Sequence, residues 1–385
     1  MADKINKMIA DTFLQIADGL ETGSFAKKPK IALTGMGSEH GEENAMKAAV
    51  AAAKEGVDVY YIGSLEHEGV TTVSVPDDEA GHKKMEELLQ SGEVDGAVTM
   101  HYPFPIGVST VGRVVTPGVG KEMFVANTTG TSSPDLVEGM IKNTIDGLAV
   151  AKATGIARPT VGILNVNGAR QVEHALRELK DNGYDFDFAE SSRADGGCVM
   201  RGNDVLKGTP DIMVCDSLTG NVLNKMLSSF TTGGSFESVG FGYGPGVGKG
   251  YDKLVLIVSR ASGAPVVANA LVFAAELVRE KIFAKVAAEY EAAEKAGLND
   301  ILAALEAKKN ASKEPAEEVT APPAEPVPAA ILGVDVLDLE DAVHALWKAG
   351  IYAESGMGCT GPVVMMSTAN ESKAHDVLKD AGYIS

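Results

Sequence analysis

The sharpest chemical signal in this sequence is Gly356-Met357-Gly358-Cys359-Thr360-Gly361-Pro362. A thiol flanked by glycines is sterically open, and neighbours without side chains let backbone N–H groups turn toward a bound oxyanion. The thiolate is the nucleophile, so such a site needs amide dipoles or a nearby cation to lower the thiol pKa. In this reading Cys359 attacks, and Gly356, Gly358, Thr360 and Gly361 form the loop that holds the oxyanion. A structural cysteine in a tight turn is the commoner fate of a single cysteine, but three glycines and a proline around this one favour the reactive role. Cys198, after Gly196-Gly197, is a weaker instance, and Cys215 lies in an apolar run that reads as core.

Two further segments could hold an anion. In Pro210–Lys225 a strand runs into a polar turn and a helix start. Asp216 at the strand end, Gly220 and Asn221 in the turn, and Lys225 one turn into the helix frame an anion site at a helix N-terminus. A plain strand-to-helix turn capped by Asp216 fits the spacing equally well. Gly35-Met36-Gly37-Ser38-Glu39-His40-Gly41 follows the first strand and makes Gly37 and His40 candidates for phosphate contacts, without matching G-x-G-x-x-G. A glycine ladder from Gly240 to Gly250 fails both nucleotide fingerprints, because Tyr243 stands five before Gly248 and Gly250 follows Lys249. It reads as a mobile substrate or partner loop, or as a flexible connection. The seven histidines form no metal spacing, so no metal and no tightly bound cofactor is expected; His40 and His101 sit at strand ends.

These residues need a scaffold, and the pattern supplies one. Short β-branched runs at Lys30–Thr34, Val57–Ile62, Val94–Met100, Pro159–Asn165, Ile212–Asp216 and Leu254–Ser259 alternate with helical stretches at Glu43–Glu55, Arg170–Asn182, after Asn221, and from Pro265 to Ala284. Near-continuous apolar strands between helices predict an α/β fold with a mostly parallel, doubly wound sheet, with ligands beyond the carboxyl ends of the strands. Residues 1–23 carry Ile5, Met8, Ile9, Phe13, Ile16 and Leu20 at helical spacing and read as an amphipathic helix rather than a signal peptide. The body spans 24–305. Residues 306–330 hold five prolines among Ala, Glu and Lys, a linker that cannot bury enough surface to order itself. A small α/β unit follows at 331–385: a helix capped by Asp338 and stopped by Gly350, strands at Ile351–Ala353 and Pro362–Met366, and a capping box of Thr368 and Glu371 opening a last helix.

Length and composition agree with a globular enzyme of more than one unit: 385 residues, 45% hydrophobic and 23% charged. The acidic runs Asp77-Asp78-Glu79 and Glu317-Glu318 read as solvated faces. Thirty-four basic against 53 acidic residues leave a net charge of −19, which repels phosphate backbones and anionic lipid and argues against nucleic acid or membrane partners. Three cysteines far apart in sequence imply a reduced, cytoplasmic protein.

The body resembles the PlsX-type phosphate acyltransferases, related in fold to phosphate acetyltransferases. The likeness rests on Gly35-Met36-Gly37 with Glu39-His40, on Val214-Cys215-Asp216 with Gly220-Asn221 and Lys225, and on Gly233-Gly234 followed by Ser262 and Asn269-Ala270. It departs at Glu39, where aspartate is usual, and at Ser259-Arg260-Ala261, where a His-Gly pair usually precedes the serines. The linker and the cysteine-bearing tail resemble the protein C alpha subunits of glycine/sarcosine/betaine reductase complexes. That resemblance implies an enzyme working with a protein C beta subunit on a carboxymethyl selenoether of selenoprotein A, with protein B acting indirectly. It further implies an acetyl thioester on the tail thiol, here Cys359, and inorganic phosphate as co-substrate for acetyl phosphate. The other readings are a phosphate acyltransferase of lipid synthesis and a non-catalytic scaffold subunit.

Overall fold

The computed structural model describes residues 28–194, 196–311, 319–335, 338–358 and 361–384, together with Phe13 and Ile16. The first part of the body runs β1 (Lys30–Thr34), α1 (Glu42–Lys54), β2 (Asp58–Gly63), β3 (Thr71–Ser74), α2 (Asp78–Ser91) and β4 (Gly96–Thr99). Next come β5 (Val108–Val115), β6 (Glu122–Thr131), α3 (Leu136–Lys152), β7 (Thr160–Leu164), α4 (Ala169–Asp181), β8 (Asp187–Phe188), β9 (Val199–Met200) and α5 (Gly202–Lys207). The body closes with β10 (Ile212–Val214), α6 (Ser217–Ser229), β11 (Gly244–Val247), β12 (Val255–Ile257), α7 (Ala264–Arg279), α8 (Ile282–Lys295) and α9 (Leu298–Ala311).

Its strands form one 12-stranded sheet in the order β3-β2-β1-β4-β12-β11-β5-β6-β10-β7-β8, with β9 beside β7. Two parallel halves meet at the antiparallel pairs β12–β11, β11–β5 and β5–β6. Alternation along each strand divides the core. Ile31, Leu33, Ile212 and Val214 face α1, α3, α4, α7 and α8, while Ala32 and Ala97 face α2, and Met213 and Cys215 face Leu227 of α6. Helices thus cover both faces, as the apolar strands predict.

The glycine ladder is the largest correction to the sequence reading. Residues 242–248 are buried and include β11, so this is no mobile loop. A Cβ at Gly244 would overlap the Val111 carbonyl, and one at Gly246 the Phe104 ring. The glycines are there because backbone and ring pass at contact distance. A second correction concerns the helix expected from Pro265 to Ala284. It breaks after Arg279, with Lys281 at φ 55°, and the turn lets α8 bury Val286 and Tyr290. The sequence reading also omits β5, β6 and α3. Asp77 is more than a solvated charge, since its carboxylate accepts from the Ala80 N–H at 2.8 Å and caps α2. α9 extends to Ala311, which shortens the linker, and Glu317-Glu318 lie outside the described residues. Of the expected N-terminal helix only Phe13 and Ile16 are described; both are helical and exposed.

The tail contains β13 (Ala329–Leu332), α10 (Leu339–Lys348), β14 (Ala353–Gly358), β15 (Gly361–Met366) and α11 (Glu371–Asp380). Its sheet is antiparallel in the order β13-β15-β14, with a core of Val343, Leu346, Val364, Met366, Ala374 and Leu378 among others. The expected caps are absent: neither Asp338 nor the residue before Glu371 makes a side-chain cap, and a 3-10 turn at Thr368–Asn370 leads into α11.

Candidate active site

The chemistry-bearing residues of the body gather at the carboxyl end of β12. After Ile257 the chain turns sharply: the Ser259 N–H donates to Ser262 Oγ and the Ala261 N–H donates to Ser259 Oγ, both at 3.1 Å. α6 leans across the sheet toward this turn, and Lys225 in its third turn donates from Nζ to Ser259 Oγ at 2.6 Å. The same ammonium is ion-paired with Glu237, whose side chain is 1% exposed. Glu237 also accepts from Ser262 Oγ at 3.1 Å. Burial opposes the charge of Lys225, and the Glu237 carboxylate outweighs it, holding the lysine pKa above its ordinary value. Burial likewise raises the pKa of the neighbouring Tyr243 phenol.

Backbone and amide contacts fix this cluster from three sides. Asn44 on α1 donates to the Ser262 carbonyl at 3.1 Å and accepts from the Ala264 N–H at 2.8 Å. A ring nitrogen of His40 lies 3.2 Å from the Ala261 carbonyl, and the Glu39 N–H donates to the Arg260 carbonyl at 2.9 Å. Asn221 donates to the Thr128 carbonyl at 3.1 Å. Ser259 Oγ thus already accepts two hydrogen bonds, leaving its own proton available to donate. A hydroxyl held against an ammonium is suited to receiving an oxyanion.

Placement of the expected anion residues is uneven. Lys225, Asn221 and His40 reach the cluster or its supports. Asp216 caps α6, accepting from the Thr219 N–H at 2.9 Å, so the plain capped turn accounts for it. Its helix begins at Ser217, four residues before Asn221, so Gly220 and Asn221 are helical and Lys225 lies well beyond the N-terminus. Gly220 is needed for contact: a Cβ there would overlap the Asn127 carbonyl. Gly37 stays apart, because the Asp78 carboxylate would stand 3.3 Å from a Cβ placed on it, a poor setting for an anion. Glu237, Tyr243 and Asn44 were missed. Their contacts cross long sequence separations, and no local spacing announces them.

Cys359 and Thr360 lie outside the described residues. Around them, β14 and β15 pair as far as Gly358 with Gly361, so the glycine-rich segment is mostly strand rather than loop. The other thiols are buried. Burial and Glu173, 3.3 Å away, push Cys198 up to about 12, and burial raises Cys215 further. The tail meets the body where Gln171, in the first turn of α4 beyond β7, donates to both Asp338 oxygens at 3.0 Å. That is the carboxyl edge of the sheet.

The family model described as fatty acid synthesis protein matches residues 29–365, which takes in the whole cluster and the tail hairpin almost to its end. The chain belongs to this family. Within it, the chain is 58% identical over 383 residues, 99% of each sequence, to the glycine/sarcosine/betaine reductase complex component C subunit alpha of Peptoclostridium acidaminophilum. A phosphate acyltransferase of Thermotoga maritima is 27% identical over 233 residues, 51% of this chain and 68% of that one. Among solved structures, a branched-chain phosphotransacylase from Enterococcus faecalis covers 65% of this chain and 99% of its own, at 18% identity and a TM-score of 0.47. No helix among the described residues is long and apolar enough to cross a membrane.

Proposed function

We propose that this chain forms acetyl phosphate as the alpha subunit of component C in a glycine/sarcosine/betaine reductase of the cytoplasm. The observation that carries the reading is the 58% identity to such a subunit over 99% of the chain, a span that includes the Cys359 tail. In the first step the selenium–carbon bond of a carboxymethyl selenoether on selenoprotein A breaks. Its electron pair and a proton convert the methylene to a methyl group. The selenium is oxidised, leaving as a selenenyl sulfide with a thiol of the donor protein. The carboxyl group loses water as Cys359 takes the acetyl group as a thioester. Inorganic phosphate then attacks the thioester carbonyl, giving acetyl phosphate and the free thiol. Gly356, Gly358, Thr360 and Gly361 supply the oxyanion site, and a partner beta subunit completes the complex.

In the body, Lys225 with Ser259 is the phosphate clamp, supported by Asn221 and His40. An arriving dianion shares the ammonium with Glu237, and Ser259 donates its free proton. Contact between Gln171 and Asp338 at the carboxyl edge of the sheet supports delivery of the tail to this side of the body. Residues 312–328 separate α9 from β13 in the chain.

Intact-mass analysis after turnover tests the reading: an acetyl adduct on the peptide carrying Cys359 is expected. A Cys359→Ala variant that still makes acetyl phosphate at the full rate would overturn it and favour a phosphate acyltransferase of lipid synthesis.

A further inference from the structure

A histidine at the rim of the cluster is held so that one of its nitrogens is left open. His40 Nε2 lies 3.2 Å from the Ala261 carbonyl. A carbonyl only accepts, so Nε2 carries a proton, and in the neutral ring Nδ1 keeps the lone pair. No group among the described residues bonds Nδ1. Phe236 braces the ring at a steep angle, with the centroids 5.8 Å apart. Backbone contacts fix its position: the His40 N–H donates to Ser38 Oγ at 3.1 Å and the Glu39 N–H to the Arg260 carbonyl at 2.9 Å. The loop after β1 is thereby pinned to the turn after β12. Ala261, which accepts from the ring, donates its own N–H to Ser259 Oγ at 3.1 Å. A single residue therefore links the imidazole to the hydroxyl of the Lys225–Ser259 pair. The residue is exposed, so a second protein segment has access to the open nitrogen.

We propose that His40 is the proton carrier of the acyl transfer, moving one proton through Nδ1 between the attacking phosphate and the sulfur of Cys359. This rests on the function proposed above, in which the tail thiol brings the acetyl group to this edge of the sheet. Phosphate held by Lys225 and Ser259 attacks the thioester carbonyl. A carbon–oxygen bond forms, and the carbon–sulfur bond breaks with its electron pair going to sulfur. Hydrogen phosphate enters with one proton, and acetyl phosphate leaves without it. Nδ1 takes that proton and gives it to the departing thiolate, so the step balances with no further reactant. Lys225 does not serve, because the Glu237 carboxylate holds its ammonium protonated. The charged groups on the segments around the ring are Glu39 ahead of it, Glu42 and Glu43 at the start of α1, Arg260 after β12, and Glu237 beside Phe236. Glu42 is turned to the Ser64 N–H at 2.8 Å and Glu237 to Lys225, so neither engages the imidazole.

The reverse half-reaction of the full chain is the test, with acetyl phosphate as the probe and intact and peptide mass as the readout. The wild-type chain should gain one acetyl group on Cys359, at a rate that levels off near neutral pH, where the neutral ring accepts the thiol proton. His40→Gln still offers an N–H to the Ala261 carbonyl and carries no proton. It should be acetylated at least ~100-fold more slowly at pH 7. Its rate should keep climbing to about pH 8.5, where a thiol ionises by itself. Inhibition by inorganic phosphate should stay unchanged. Should His40→Gln fail to fold, His40→Asn serves the same purpose. A folded His40→Gln chain with the wild-type rate and pH profile overturns the proposal. Weaker inhibition by phosphate with the pH profile kept makes His40 a phosphate contact and overturns it as well. The same losses in His101→Gln, with His40→Gln unaffected, move the role to the end of β4 and are equally fatal. A wild-type chain that gains no acetyl group on Cys359 overturns the functional reading and this inference together, which sets that failure apart from the others.

Discussion

The body and the tail hold their chemistry in opposite ways. In the body, Lys225 of α6, Asn44 of α1, Glu237 and the Ser259–Ser262 turn after β12 come together from separate stretches of chain, and each polar group is answered by another. In the tail, one contiguous glycine-rich segment carries Cys359 between two strands, and the described pairing stops at Gly358 with Gly361. The first arrangement is rigid and built by tertiary contacts. The second is local and unencumbered by charged partners in sequence. Under the proposed function, the anion site in the body needs preorganised partners, and the Cys359 thiol needs access.

The largest effect separating the two regions concerns the thiols. Cys359→Ser should lower acetyl phosphate formation by at least ~10³-fold, measured with a coupled acetate kinase assay, while Cys198→Ser and Cys215→Ser keep the rate. Iodoacetamide at pH 7.5 should label Cys359 first, because Cys198 is held near 12 by burial and Glu173. Equal labelling of the three would erase the contrast.

Glycines in the two regions should differ nearly as much. Gly244→Ala forces a Cβ into the Val111 carbonyl and adds strain at φ 84°, costing about 3 kcal/mol in urea unfolding. Gly356→Ala meets the end of Met365, whose Cε stands 2.8 Å away on a flexible side chain, and should cost below about 1 kcal/mol.

Lys225→Ala leaves the Glu237 carboxylate buried without its cation. About 2 kcal/mol should be lost, less than for a fully buried pair because Lys225 is 43% exposed. A Lys225→Ala/Glu237→Gln chain should recover part of that stability but not the phosphate dependence of the rate. Recovery of both would make the pair structural.

A smaller effect lies in Asp146, buried between α3 and α8. Burial lifts its carboxyl to about 8. The folded state therefore holds this proton more tightly than the unfolded chain, whose aspartates titrate near 4. The stabilisation is complete below about pH 4 and is lost as pH rises toward 8. Asp146→Asn should flatten the fall in melting temperature between pH 6 and 9; an unchanged slope would exclude Asp146 as its source. The least effect is expected of Gln171→Ala, which removes two contacts to Asp338 and should change stability by less than about 1 kcal/mol while loosening the tail in proteolysis.

Much of the architecture was legible in the sequence for a plain reason. A parallel strand covered on both faces must be apolar at successive positions, so β1 matches its expected range and β2, β7 and β10 lie within a residue or two of theirs. β5, β6 and α3 carried comparable signals, including an Asp135 side chain that accepts from the Glu138 N–H at 2.9 Å, and were passed over between stronger ones. The Cys359 segment stands out in the sequence because seven consecutive residues contain its whole pattern, while Cys359 itself lies outside the described residues. The site on the body was half readable: Lys225, Asn221 and His40 were named, but for an anion site at a helix N-terminus.

By itself, the sequence determined the alternation of strands and helices, the excess of acidic residues and the glycine-rich setting of Cys359 in the chain, since each follows from the order of neighbouring residues. Only the tertiary structure decided that Glu237 neutralises Lys225, that Asn44 secures a serine 218 residues away, and that the glycine ladder is a central strand. Those outcomes depend on which backbones come within contact distance. A glycine permits either a mobile loop or a tight crossing, and only the partner it meets fixes the choice.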